Sequence, residues 1–329
     1  MENKKRSIRW GAAIVLFAVV LRLGGGITMA SGHVLQRPEQ IVTDVHRWPN
    51  GGMCEALERP PVVVPSIPQP PQPICLPSFR GEDLSLLQFQ YASGCHYRPD
   101  LQELISDKLS WDLDSTEPAV LILHTHGTES YTQTADDRYT ECGNFRTRQT
   151  EYNMVALGEL LTARLEAAGI RVIHDKTLHD DPSYNAAYSN ARTSITEYLQ
   201  MYPSIQLVLD LHRDAATDAN GKQFVTSVTV DGQKIAQLML VMGTDASGLH
   251  YPNWQANLSV ALKLQAQLER QAPGITRTTT LRTSRYNQDL HSAMLLVEVG
   301  SAGNTFQQAM AAVEILAEAI IILKDGANG

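Results

Sequence analysis

The residues most able to do chemistry sit in three short stretches: His126-Gly127-Thr128-Glu129, His212-Arg213-Asp214 and Glu298-Val299-Gly300. A His and a carboxylate three apart on a tight turn, joined by a distant second His, offer two nitrogens and one oxygen. Three protein ligands with a fourth tetrahedral position open make a catalytic rather than a structural zinc site. Such an ion lowers the pKa of water and polarises a carbonyl. The reading is therefore one Zn2+ per chain on His126, Glu129 and His212, with Glu298 as the general base that moves the water proton to a leaving nitrogen.

Several neighbours compete for these roles. His124, two before His126, shares its face if the strand continues, either as a partner of the ligands or as a satisfied strand-end histidine. Glu151, just before a helix, rivals Glu129 as the carboxylate ligand. Arg213 and Asp214 either hold a substrate carboxylate and orient a ligand imidazole or form a surface pair. Asn287 and Asp289 occupy a loop ahead of Glu298, where substrate contact competes with an ordinary turn. His174, His179 and His250 read as ordinary polar residues, and His291 has no spacing argument.

The elements that must position these groups follow from periodicity. Residues 119–124, AVLILH, form an apolar run of strand length, suited to a sheet buried on both faces. Residues 153–169 carry apolar positions at helical spacing and close on Gly169. A strand from Ile170, a helix over 184–201 and a buried strand over 205–212 come next. Residues 224–243 read as two strands joined around Asp231-Gly232. A helix over 252–271, a strand over 294–300 and a helix over 304–324 complete the chain. The order β, α, β, α, β, β, β, α, β, α implies an α/β domain with a mixed, mostly parallel sheet flanked by helices. In such sheets ligands gather at the carboxyl ends of the strands, which is where the three stretches fall.

Composition narrows the partner. With 27 Lys and Arg against 35 Asp and Glu, a net charge of −8, and only 6% aromatics, nucleic acid is argued against. Hydrophobic residues at 43% and charged residues at 19% fit a globular chain rather than a multispan membrane protein. Cys54, Cys75, Cys95 and Cys142 form no CxxC pair, which argues against a zinc ribbon or dithiol redox motif. In an exported chain one or two disulfides are expected among them; in a cytosolic one they stay thiols.

The amino terminus points outward. KKRSIR at 4–9 precedes the apolar run Trp10 to Leu21, a basic flank that marks the cytoplasmic side. Residues 1–32 read as a single-pass anchor, with a cleaved signal peptide as the alternative. Residues 33–110 read as an extracytoplasmic linker. Eight of the 16 prolines lie between Pro60 and Pro77, which favours a semi-rigid polyproline II spacer. Residues 111–329 are the expected catalytic domain.

HTHGTESY, YNMVALGELLTARLEAAGI, LDLHRDA, RYNQDL and LLVEVGSAGNT, in this order, resemble the stage II sporulation protein P family over about residues 117–325. The resemblance implies a peptidoglycan hydrolase, a zinc-dependent N-acetylmuramoyl-L-alanine amidase with endopeptidase activity also ascribed to the family. It implies stage II sporulation proteins D and M as partners at a membrane. More broadly the chain is similar to zinc amidases of cell walls, in which a strand-end His-Gly supplies a ligand, as His126-Gly127 does. Their Glu-x-Gly with Asn six residues after the Glu matches Glu298, Gly300 and Asn304. The expected substrate contacts are Arg213, Asn287 and Asn304. One departure stands out: the position of the helix-start Glu ligand in that pattern is occupied by Gln149, so Glu129 or Glu151 must serve instead. A zinc carboxypeptidase or endopeptidase on stem peptides, and a peptidoglycan-binding scaffold with a dead site, are the competing readings.

Overall fold

A computed structural model describes residues 79, 81–109 and 111–327 of the chain. The expected anchor and the proline-rich segment lie outside the described residues. Nine strands and five α-helices are described: β1 (Phe89–Tyr91), α1 (Leu101–Ser106), β2 (Val120–Leu123), α2 (Met154–Ala167), β3 (Val172–His174), α3 (Ala187–Met201), β4 (Leu207–Asp214), β5 (Ser227–Val230), β6 (Gln233–Ala236), β7 (Leu238–Met242), α4 (Trp254–Gln271), β8 (Thr279–Leu281), β9 (Met294–Ser301) and α5 (Phe306–Ala327).

Seven strands form one sheet in the order β1-β8-β7-β9-β4-β2-β3. Every pairing is parallel except β7 with β9, so the sheet is mixed and mostly parallel as expected. The hairpin β5–β6 stands apart; Asp231 at φ 49° and Gly232 at φ 82° supply the left-handed pair that its two-residue turn requires.

Alternation along the central strands divides the core. Val120 and Ile122, Leu207, Leu209 and Leu211, and Leu295 and Val297 join the large cluster that α1, α2, α4 and α5 complete. Leu121 and Leu123, Val208 and Met294 join the smaller cluster with Ala191 and Ile195 of α3. Because side chains alternate across a strand, Asp210 and His212 of β4 and Glu298 of β9 belong to the α3 side. α2 begins at Asn153, whose side chain accepts from Val155 N at 3.0 Å. It ends with Ile170 N bonding Leu165 O and Gly169 at φ 82°, a Schellman stop.

The expected domain start at 111 is corrected by β1, which pairs with β8, and by α1, whose Leu104 and Ile105 are buried in the main core. Part of the supposed linker therefore belongs to the folded body. β1 and β8 have three residues each, too few for period-2 alternation to register. α5 is long and apolar enough to cross a membrane, but 67% of its apolar stretch is buried, which is the packing of a core helix. Among the described residues Cys95 is buried and Cys142 exposed, both as free thiols.

Candidate active site

β2, β4 and β9 are neighbours in the sheet, and their carboxyl ends bring the three predicted stretches to one edge. The turn after β2 is held from both sides. Thr125 donates its N–H and hydroxyl to Asp210 at 2.8 and 2.6 Å, and Thr128 does the same to Asp180 at 3.1 and 2.5 Å. A Cβ at Gly127 would lie 2.9 Å from the end of the Leu178 side chain, so a larger residue there requires that side chain to shift. Between these anchors His126 turns inward, 7% exposed.

His126 and His212 meet edge to face with ring centres 5.4 Å apart. His212 Nδ1 lies 3.7 Å from Glu129 Oε2. Across the parallel β4–β9 pair His212 stands opposite Glu298. His126, Glu129, His212 and Glu298 thus lie near one another at this sheet edge. Glu151, the rival carboxylate, is exposed on a short 3-10 turn (Thr150–Tyr152), whereas Glu129 is buried among the imidazoles.

His124 does not share that face. As the next position after Leu123 it falls on the α2 side, where its Nε2 lies 2.8 Å from His174 Nε2. Burial pushes His124 down to about 3 and His174 to about 4, so both are neutral packing groups. Asp214 pairs with Arg277 at 2.7 Å, and no ligand imidazole is its partner in that pair.

The three expected substrate contacts face inward. Arg213, 4% exposed, donates to Ser130 O, Asn144 O, Phe145 O and Glu129; it clamps the loop beside the site. Asn287 donates to Tyr188 O at 2.8 Å, tying α3 to the turn before β9. Asn304, fully buried, accepts from Ser301 N at 2.9 Å and donates to Thr226 O and Gln308. A buried polar side chain keeps its hydrogen bonds because breaking them leaves unsatisfied partners, so each is a structural tie.

The electrostatics single out Glu298. Burial pushes its carboxyl up to about 8, against the pull of His212 and Arg213 and with the push of Glu129 and Asp214. Its Oε2 is buried without a hydrogen-bond partner. Burial disfavours the His212 cation, but Asp210, Glu129 and Glu298 outweigh it and carry the imidazole up to about 9. Its Nε2 lies 3.0 Å from Asp210 Oδ1, yet out of line for a hydrogen bond. Burial takes His126 down to about 4. Glu129 is held below the usual carboxylate range: burial opposes its charge, and Arg213, His212, His126 and Arg146 overcome that.

Two imidazoles and a carboxylate are the donor types zinc takes, and His126 Nδ1 is buried without a hydrogen-bond partner. By donor chemistry the residues fit a divalent ion. As they stand they do not surround one point: among the described residues no three His, Cys, Asp or Glu side chains are grouped closely enough to hold one.

Sequence reasoning missed Asp210, Asp180, Tyr184 and Arg146. Asp210 has a signal, since D-x-H on a strand puts both side chains on one face. Tyr184, whose ring stacks on His126 at 4.4 Å, and Arg146, 4.3 Å over that ring, have none.

Residues 85–321 match the family described as stage II sporulation protein P (SpoIIP). Stage II sporulation protein P of Bacillus subtilis strain 168 is 26% identical over 210 residues, 60% of this chain and 49% of that protein. The chain thus spans about half the length of that relative. Among solved structures, the apo N-acetylmuramyl-L-alanine amidase of Mycobacterium abscessus aligns with 64% of this chain and 99% of its own, at TM-score 0.37 and 13% identity. The corresponding amidase of Mycobacterium smegmatis aligns with 62% and 96%, at TM-score 0.33 and 13% identity.

Proposed function

This chain belongs to the stage II sporulation protein P family, and from that premise we propose that it is a peptidoglycan hydrolase of sporulation, a zinc-dependent N-acetylmuramoyl-L-alanine amidase. The observation that carries the reading is the register of His212 against Glu298 on β4–β9, with His126 and Glu129 beside them.

His126, Glu129 and His212 are the proposed zinc ligands. A bound ion there supplies an acidified water and a polarised amide carbonyl. Glu298 takes the proton from the attacking water at a carboxylate oxygen and returns it to the amide nitrogen as the C–N bond breaks. Its buried Oε2 has no hydrogen-bond partner, which supports that role by leaving an oxygen free to take the proton. Asp210 holds Thr125 and faces His212, which supports its place as the carboxylate behind a ligand imidazole. Thr128 and Arg213, neighbours in sequence of Glu129 and His212, line a cleft of about 470 Å³, room for part of a stem peptide.

A membrane tether through residues 1–32, and assembly with stage II sporulation proteins D and M, complete the proposal. The test is digestion of purified sacculi by the full chain with zinc supplied. Release of stem peptides with a free L-alanine amino terminus, leaving intact glycan strands, is the expected result. Cut cross-links without those termini sink the amidase reading in favour of an endopeptidase. Sedimentation with the wall and no cleavage at all sinks it in favour of a scaffold.

A further inference from the structure

The cleft beside the site is lined by three arginines, Arg146, Arg148 and Arg213, and two of them are committed. Arg148 pairs with Asp181 at 2.6 Å, and Arg213 is buried in the contacts given above. The cleft's remaining carboxylate, Asp180, accepts from Thr128.

Arg146 differs. Its Nη2 lies 3.3 Å from Glu129 Oε1, beyond the roughly 2.7–2.9 Å of a strong charge-assisted bond. Glu129 keeps the main-chain donor Arg213 N at 3.1 Å without it. The guanidinium instead rests 4.3 Å over the ring of Tyr184, itself 51% exposed. Beneath this loosely tied head the backbone is locked. Arg146 N donates to Gly143 O, Arg146 O accepts from Cys142 N, and Phe145 O accepts from Ser130 N at 2.8 Å. Phe145 is held at φ 50°, a conformation an aromatic residue adopts only when its surroundings impose it. A rigid base, an aromatic platform and a weakly held fork of donors make a ready receptor for a planar anion.

We propose that Arg146 is a specificity-determining residue, whose guanidinium on Tyr184 receives a carboxylate of the substrate's stem peptide in this cleft. The proposal rests on the peptidoglycan reading for the identity of the substrate. It adds a recognition contact that none of the groups around Glu298 provides.

The test is calorimetric titration of the full chain with a synthetic stem tripeptide of L-alanine, γ-linked D-glutamate and a diamino acid. Each carboxylate is left free or amidated in turn, which separates the glutamyl from the terminal group. Amidating one of them is expected to weaken wild-type binding about tenfold or more. Arg146→Met should bind the free and amidated peptides alike, at the weaker level. Arg146→Lys should fall between, because an ammonium keeps the charge but not the fork, and it serves as the second variant should the methionine form not fold. Equal wild-type binding of all peptides, no binding, or an undiminished preference in folded Arg146→Met or Arg146→Lys overturns the proposal. The readout does not depend on cleavage. A chain that binds with this preference yet cuts no sacculi refutes the amidase reading alone, and one that cuts without preference refutes only the role of Arg146.

Discussion

His212 and Glu298 stand opposite one another in the hydrogen-bonded register of β4 and β9, so main-chain pairing, not loop conformation, sets the distance between proposed ligand and proposed base. Strand-borne groups hold their geometry more tightly than loop-borne ones. The consequence is that each can be altered without displacing the other.

Glu298→Gln is nearly isosteric and should lower kcat on sacculi by about 10²–10⁴-fold while bound zinc, measured by mass spectrometry, stays at the wild-type level. His212→Ala should lose both. Loss of zinc in the glutamine variant would make Glu298 a ligand rather than a base.

Asp210→Asn removes the nearest carboxylate from His212 Nε2. In metal-free protein the His212 imidazole, now carried up to about 9 against the cost of burial, should titrate lower, as read by NMR. Zinc affinity should fall about 10–100-fold. An unmoved titration would show that Glu129 and Glu298 alone sustain the charge.

Gly158→Ala sets two effects against each other. Alanine in a helix interior gains about 1 kcal/mol over glycine. Here its Cβ would press on His174 Nε2 and lie 2.6 Å from His124 Nε2, and overpacking costs about 1–3 kcal/mol. Both rings belong to the buried pair at 2.8 Å and have little room to yield, so denaturant melts should show net destabilisation. A stabilised variant would mean that the pair can separate.

Lys263 bonds Leu104 O and Ser259 in the interface of α1 and α4, and burial pulls its ammonium down to about 8. The unfolded chain holds that proton to a higher pH, so wild-type stability gains a rising contribution from about pH 8 towards about 10.5. Lys263→Met lacks it. Relative to wild type, the variant should therefore fare better at pH 7 than at pH 10 in urea unfolding, and a difference independent of pH would refute the assignment.

The legible part of the fold was what consecutive residues encode. The apolar run before His124, the Gly169 stop, the Asp231-Gly232 turn and the strand carrying Glu298 all emerged where periodicity and turn chemistry placed them. β1 and β8 did not, since three-residue strands leave no period, and their place came from pairing with each other across the chain.

At the site, strand-end position pointed to His126, His212 and Glu298, and the three-residue spacing from His126 pointed to Glu129. What the chain order left open was how each polar group meets its hydrogen-bonding requirement. Arg213, Asn287 and Asn304 read equally well as substrate contacts until Glu129, Tyr188 and Thr226 are seen to occupy them. Only the folded arrangement placed Arg146 over Tyr184 and made Glu151 an exposed residue and Glu129 a buried one. Periodicity is local to a segment, whereas the partner that buries, charges or neutralises a side chain comes from strands and loops the backbone has yet to bring alongside.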